Sequence, residues 1–522
     1  MKTTLERNCH RCAISLCLAS LLIMAGCMVG PKYHAPTPPA PSAKNYKEST
    51  ANFQDTTGWK VASPQEAMLR GKWWEVFNDS ELNALEEQVN INNQNIKEFF
   101  QNLMEARTVI REAHAQYWPT VTTNPSWQRT KASQNLRNTY NTNAPGSSTG
   151  TTASGQAPSS GLETTVWSFP VDVSWMPDLW GKIRNEVRQA QYAAQVSAAD
   201  LENERLTEQA SLAQFYFEIR GQDALQKILD ETVEADQKAL DVTKAAYDTG
   251  IGDYISVVEA QTTLESAQAQ AINVKVARAQ FEHAIAMLVG RVASDFSIPV
   301  RPELTSPPPI PVGMPSELLQ RRPDVAAAER TLAEANATIG IGYGAFFPSV
   351  TLSAAGGVES SSFTNWFSWP SRFWSIGPSI SQTIFNGGLY RAQLNQFTAT
   401  YNADVAAYRQ AVLIAFQQVE DNLSAVRLYS QQVERQQAAV AHAQEFLNLE
   451  MGRYQTGIDP YIDVTTAQTM LLTNQQTLAT IQVLQMTSAV SLIEALGGGW
   501  DSSQLPTPSQ LTKKTGGYSL QK

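Results

Sequence analysis

Cysteine is nearly absent from this chain. Its four cysteines all lie within the first 27 of 522 residues, so the rest of the chain can hold no disulfide framework, thiolate metal site or cysteine nucleophile. The five histidines are scattered, and no two of them have the spacing that zinc sites favour. Zinc chemistry is therefore not expected.

Charge and catalytic motifs are also scarce. Charged residues make up 17% of the chain against about 25% in typical domains, the net charge is −10 and the mean hydropathy is −0.27. This hydropathy excludes a protein built from many membrane-spanning helices. The sequence has no Gly-x-Ser-x-Gly, His-Glu-x-x-His or Walker-type motif, and the glycine run at 340–344 lacks the spacing of a nucleotide-binding loop, so we expect it to serve close helix packing. An enzyme is the weakest interpretation, and no nucleic-acid partner is expected.

The N-terminus has the features of an export signal. Basic residues precede an apolar stretch at 13–25, as in a secretory signal peptide. The segment Met24-Ala25-Gly26-Cys27 resembles a lipobox, at which bacterial signal peptidase cuts before a cysteine that then carries lipid. We expect a signal peptide at 1–26, a lipidated extended segment at 27–72 and no cofactor besides this covalent lipid. An uncleaved anchor and an unlipidated signal are the alternatives.

The chain contains the same unit twice. At an offset of 207 residues, Tyr247-Asp248-Thr249-Gly250-Ile251 corresponds to Tyr454-Gln455-Thr456-Gly457-Ile458. Upstream the offset becomes 229, as between Pro119 and Pro348, which places an insertion in a Ser/Thr/Gly-rich tract of the first copy. Such duplication predicts pseudo-symmetry. The expected division is a first repeat at 73–298, a proline-rich linker at 299–315, a second repeat at 316–498 and a C-terminal tail at 499–522.

Each repeat contains a long heptad pattern. In the second repeat, apolar residues recur every seventh position between 405 and 454, and the first repeat keeps the same phase. A seven-residue period of this length predicts a left-handed coiled coil with helices about 100 Å long. Each repeat is expected to contain a short helix, a long helix and a return helix. The long helices are predicted at 181–249 and 388–456, and the return helices at 254–290 and 461–497.

Apolar and polar residues alternate in segments that precede the long helices. Residues 167–175 have one apolar face with tryptophan at both ends, as expected of a strand between lipid and a watery lumen. Two predicted hairpins, at 119–177 and 348–385, give four strands per chain. Four strands cannot close a barrel, and open edges are not tolerated in lipid, so the chain must share a barrel with copies of itself. A soluble β-sandwich is the alternative interpretation of the alternation.

Three segments carry a family resemblance. The segments Cys27-Met28-Val29-Gly30-Pro31-Lys32-Tyr33, Trp73-Trp74-Glu75-Val76-Phe77-Asn78-Asp79 and 313–324 are similar to those of TolC-like outer-membrane efflux lipoproteins of the NodT type. The resemblance implies an α+β membrane protein that forms a homotrimer. Its twelve strands would form one transmembrane barrel in the outer membrane, continuous with a periplasmic α-helical coiled-coil barrel.

The resemblance also implies a function. The protein would be the passive exit duct of a tripartite multidrug efflux pump, meeting a periplasmic membrane-fusion adaptor that links it to an RND-type (resistance–nodulation–division) inner-membrane transporter. An exit channel for secreted proteins is an alternative. A structural lipoprotein scaffold is less favoured because of the amphipathic strands.

The glycines that end the long helices mark the expected adaptor-docking tips. Gly250 and Gly457 stand where a helix-stop residue is required. The resemblance adds that the adaptor docks at these turns. The candidate docking residues are Thr249, Gly250, Ile251, Thr456, Gly457 and Ile458.

The resemblance further implies a gate just after the second tip. In this family an aliphatic ring and, one turn later, an acidic ring can constrict the pore. The corresponding positions are Ile462 and Thr466, so the acid is missing there, while Glu259 occupies the equivalent place in the first repeat. The candidate gate residues are Ile462, Asp463, Thr466, Glu259, Asp253, Tyr254 and Tyr461.

Overall fold

The computed structural model describes residues 28–39, 46–48, 71–131, 163–310 and 315–512. The predicted signal peptide, Cys27, most of the 27–72 segment and residues 513–522 of the tail lie outside the described residues. The regular elements in chain order are α1 (Ser80–Asn92), α2 (Gln94–Ala115), β1 (Thr120–Thr123), β2 (Ser126–Lys131), β3 (Glu163–Trp175), α3 (Lys182–Asp248), α4 (Tyr254–Leu288), α5 (Pro315–Arg321), α6 (Pro323–Gly344), β4 (Ser349–Ser360), β5 (Arg372–Ser381), α7 (Leu389–Gln455), α8 (Tyr461–Ala495) and α9 (Pro508–Thr512).

The four longest helices form two matched pairs. The long helices α3 and α7 have 67 residues each, and the return helices α4 and α8 have 35 each. Each helix of the second repeat begins 207 residues after its counterpart in the first, as Leu389 does after Lys182. These bounds differ from the predicted ones by one or two residues.

The single short helix predicted in each repeat is instead two helices. In the first repeat the chain breaks at Asn93, whose Oδ1 accepts a hydrogen bond from the Ile96 N–H (3.1 Å) and so caps the second helix. In the second repeat Pro323 begins α6, because proline has no N–H with which to continue α5 and is tolerated in a first helical turn.

One compact unit contains the β-sheet. It is formed by the described parts of 1–32, 111–188 and 337–398, and its antiparallel strand order is β1-β3-β4-β5, with β2 also paired to β3. β1 and β2 are two pieces of one edge, separated at Asn124 and Pro125, since proline cannot donate to a strand ladder. The sheet is thus four strands wide but has five strand segments, where the sequence predicts four.

The register of the sheet aligns its apolar residues on one face. Val173 of β3 is opposite both Val121 of β1 and Ala354 of β4, and Ala354 is opposite Ile376 of β5. Side chains alternate between the two faces along a strand, so the other apolar positions of β3, β4 and β5 share this face. It is strongly exposed in the single chain, with Trp374 at 80% and Ile376 at 76%.

The same unit includes the residues that directly follow Cys27. The Val29 N–H donates to the Trp180 carbonyl (3.0 Å), and the Asn185 amide donates to the Val29 carbonyl (3.2 Å). A Cβ at Gly30 would lie 2.7 Å from the Cα of Gly340, so the two backbones are in contact. The expectation that the 340–344 glycines serve close packing is confirmed.

A second compact unit is helical. It comprises the described parts of 33–110, 189–336 and 399–522, and one of its cores joins Leu332 of α6, Val412 and Val419 of α7, and Leu492 of α8. Val412 and Val419 are consecutive members of the heptad pattern. Among the described residues, α8 is the one helix long and apolar enough to span a membrane, but 56% of its most apolar window is buried, as in the core helix of a bundle.

Candidate functional site

Both helix tips have the same glycine-dependent geometry. Gly250 and Gly457 have φ of +76° and +73°, in the left-handed region. The Gly250 N–H donates to the Tyr247 carbonyl (2.9 Å) and the Ile251 N–H to the Ala246 carbonyl (3.0 Å), and the second tip repeats the pattern. These paired bonds form a Schellman motif, which satisfies the last carbonyls of a helix and favours glycine at its left-handed position.

The residues beside the two glycines are exposed. Ile251 is 87% exposed and Ile458 is 67% exposed, although the apolar residue of a Schellman motif frequently packs back on its helix. Thr249 and Thr456 donate their hydroxyls to the carbonyls of Ala245 and Gly452. Each tip therefore presents an aliphatic side chain to solvent, while its polar groups are satisfied within the turn.

The two return helices begin differently. Asp253 caps α4, because its Oδ1 accepts the Ser256 N–H at 2.8 Å, and this hydrogen bond lowers the pKa of Asp253. α8 begins after Pro460, which provides no side-chain cap. Asp253 is thus accounted for as a helix cap.

Acidic groups gather at the second tip. Carboxylate oxygens of Glu450, Asp459 and Asp463 lie within 4.8 Å of one another. The Arg453 guanidinium forms an ion pair with Asp459 and lowers its pKa. Sequence reasoning overlooked Arg453 and Asp459. Their spacing across the tip glycine is the signal that could have revealed them.

An apolar cluster lies behind the tips. It contains Leu240 of α3, Val257 of α4, and Tyr461 and Val464 of α8, with Tyr454 of α7 packed against it. The rings of Tyr454 and Tyr461 meet edge to face at 5.3 Å. Side chains from four helices therefore hold the two hairpins together just behind their turns.

This cluster corrects the prediction for Tyr461. Its side chain is only 3% exposed, and burial together with nearby Asp236 raises its pKa to about 12. A ring packed between helices cannot also face a pore. Tyr254 is 62% exposed, and its ring contacts that of Tyr247 at 5.5 Å.

The other candidate gate residues lie on the surface of the chain. Ile462 is 48% exposed, and Thr466 one turn later is exposed and donates its hydroxyl to the Ile462 carbonyl (2.9 Å). Glu259 and Asp463 are half-buried. The structure thus gives Ile462, Thr466 and Glu259 positions from which they could face a lumen.

Sequence reasoning missed a buried carboxyl near the cluster. Asp236 of α3 is 2% exposed, its Oδ2 has no hydrogen-bond partner, and burial raises its pKa to about 6. It lies three residues after Val233, at a core position of the heptad, where its counterpart in the second repeat is Ala443. An acid at a core heptad position was the available signal.

The buried carboxyl predicts a pH-dependent stability difference. Below about pH 4 Asp236 is protonated in both folded and unfolded chains. As pH rises to about 6 the unfolded chain ionises first, so the free energy of unfolding falls, by on the order of 2–3 kcal/mol. Asp236→Asn should therefore gain thermal stability over the parent at about pH 7.5 relative to about pH 4, followed by circular dichroism in detergent. Glu231→Gln, at an exposed acid of the same helix, should show no such gain; equal behaviour of the two variants would contradict the assignment.

Comparison with known proteins places this arrangement in a family. Residues 85–291 and 314–498 each match the family described as Outer membrane efflux protein. The two matches begin 229 residues apart and end 207 residues apart, the two offsets of the internal repeat.

The chain belongs to this family. The efflux protein is 30% identical over 480 residues to the probable efflux pump outer membrane protein TtgC of Pseudomonas putida, covering 92% of this chain and 94% of TtgC. It is 26% identical over 502 residues to the cation efflux system protein CusC of Escherichia coli, covering 93% and 98%. The solved structure of the outer-membrane channel OprN superposes with a TM-score of 0.76 at 26% identity, covering 91% of this chain and all of that one. The efflux protein is thus an outer-membrane component of an efflux system, as the sequence predicts.

Proposed function

We propose that the efflux protein is the passive exit duct of a tripartite pump and works as a homotrimer with a shared twelve-stranded barrel. The observation that carries this proposal is the sheet: it has two edges, β1/β2 and β5, and one face of exposed apolar side chains. An antiparallel sheet with open edges cannot lie alone in hydrocarbon. Joining the edges of three copies removes them and gives a barrel of twelve strands, enough to enclose a lumen.

The tips support docking to a periplasmic adaptor, and the resemblance supports an RND-type transporter behind it. Exposed Ile251 and Ile458 beside rigid glycine turns offer small apolar anchors at the end of each hairpin. Three chains would present six such tips. Relatives carry names that refer to toluene, antibiotic and cation efflux, and we propose that small molecules are the cargo here too.

Trimer formation and transport can be tested together. Native mass spectrometry of the protein in detergent should show three chains. Expression in a strain that lacks its own outer-membrane efflux component, together with the partner pump, should restore drug resistance. A stable monomer that retains the full sheet would contradict edge closure, and trimers that conduct no ions in a bilayer would contradict the duct.

We further propose that Cys27 carries lipid. The support is the lipobox resemblance and the close packing of Met28 to Gly30, since a Cβ at Gly181 would lie 2.6 Å from the Met28 side chain. Two or more acyl chains make membrane attachment stable, and the barrel would add a second anchor. Cys27→Ser should lose acylation and assemble less efficiently. Mass spectrometry that finds an unmodified Cys27 or an uncleaved signal in the parent protein would refute the proposal.

A further inference from the structure

α8 has one continuous uncharged face. A row of its exposed positions follows at spacings of three or four residues, so these side chains project from one side of the helix. Both ends of the row are aliphatic and every position between them is threonine. The row consists of Ile462, Thr466, Thr469, Thr473, Thr477, Thr480 and Leu484.

The hydroxyls on this face are already engaged. Each of the five threonines donates to the backbone carbonyl four residues earlier, at 2.7 to 2.9 Å. A threonine that bonds its own helix in this way leaves its methyl group available to the surroundings. Residues 464–493 contain no charged side chain, a length of about 45 Å along the helix. The face is therefore neutral and holds no strong ionic or hydrogen-bonding group free for a solute.

The first repeat has the corresponding face on α4. Helices α4 and α8 are neighbours, and the Gln476 amide donates to the Gln270 side-chain oxygen at 3.2 Å. The α4 row, 207 residues earlier, is Ile255, Glu259, Thr262, Ser266, Gln270, Asn273 and Ala277. One position of the two rows, Glu259, is charged, and the nearby exposed charges Glu265 and Lys275 lie off the row and have opposite signs.

The other carboxylates at this end of the hairpins are held by partners. Asp253 caps α4, and Asp463 lies beside the Arg453–Asp459 ion pair. Among the residues that the structure describes, no cation forms an ion pair with the Glu259 carboxylate. Glu259 thus stands at the start of two neutral faces with its charge uncompensated.

We propose that these two faces line the conduit and that Glu259 alone sets its charge selectivity. The inference rests on the proposed trimeric duct and adds to it a specificity-determining residue. Three copies of Glu259 near one axis would raise the local concentration of cations at the entrance. The threonine wall beyond it would neither hold nor repel ions, so that solutes of either sign pass along it alike.

Reversal potentials in planar lipid bilayers test the assignment, with the purified protein under a KCl gradient. The parent should prefer potassium over chloride. Glu259→Gln should abolish this preference, whereas Glu265→Gln, the same change off the row, should leave it unchanged. Thr473→Val, which keeps the shape of the wall, should match the parent, while Thr473→Asp should strengthen the preference because three carboxylates would enter the conduit.

The outcomes separate this inference from the proposed duct. A Glu259→Gln protein with the parent's reversal potential would overturn the role of Glu259, and an unchanged potential in Thr473→Asp would show that the threonine face does not line the conduit. Either result leaves the parent's channel current in place. Absence of that current would instead refute the duct itself.

Discussion

Replacing Gly250 or Gly457 by valine is expected to abolish efflux while trimers still reach the outer membrane. Both glycines have positive φ, and nothing lies within 4 Å of a Cβ built at either one, so the effect would come from the backbone and not from crowding. A left-handed conformation costs an ordinary L-residue about 1–2 kcal/mol, and a β-branched residue more. The turn would open and the exposed isoleucine beside it would move. Drug susceptibility should rise to that of a strain lacking the protein.

Two control variants separate turn geometry from bulk. Gly452 lies on α7 near the same tip, with open space around it and no positive φ, so Gly452→Val should retain efflux. Gly457→Asn places a side chain that tolerates the left-handed region and should retain much of the activity. Normal susceptibility of the two valine variants at normal expression would reject a docking role for the tips.

Ile462→Ala is expected to raise resting conductance severalfold and to admit large antibiotics such as vancomycin. Tyr461 and Val464 are buried in the cluster behind the tips, and Ile462 between them is directed away from it. Three isoleucines facing one axis would narrow the pore, and alanine would remove most of each side chain. Single-channel recording and vancomycin susceptibility measure the effect.

The carboxylates provide a second route to the same leak. Glu259→Ala combined with Asp463→Ala should also raise resting conductance, because it removes both the acid on the α4 face and the one beside Arg453. Leu449→Ala, an equal truncation at an exposed position of α7, should conduct like the parent. If the Ile462 and carboxylate variants all behave like that control, the constriction lies elsewhere.

Much of the fold follows from periodicity. A seven-residue period without proline is compatible with little other than a long helix, and the 207-residue offset carries the bounds of one repeat into the other. The alternation of residues 167–175 likewise predicts a strand with one apolar face. The short helices were predicted less well, because Asn93 and the Arg322-Pro323 step break them locally while the apolar pattern continues.

By itself, then, the sequence determined the local elements, the internal repeat and the family, since each depends on residues close together in the chain or on a repeated order of residues. Only the tertiary structure decided which side of each helix is covered. Tyr461 and Ile462 are adjacent in sequence, yet the packing of α3, α4 and α7 against α8 buries the first and exposes the second. The same packing encloses Asp236 without a partner for its Oδ2, because its surroundings are supplied by helices distant in the chain.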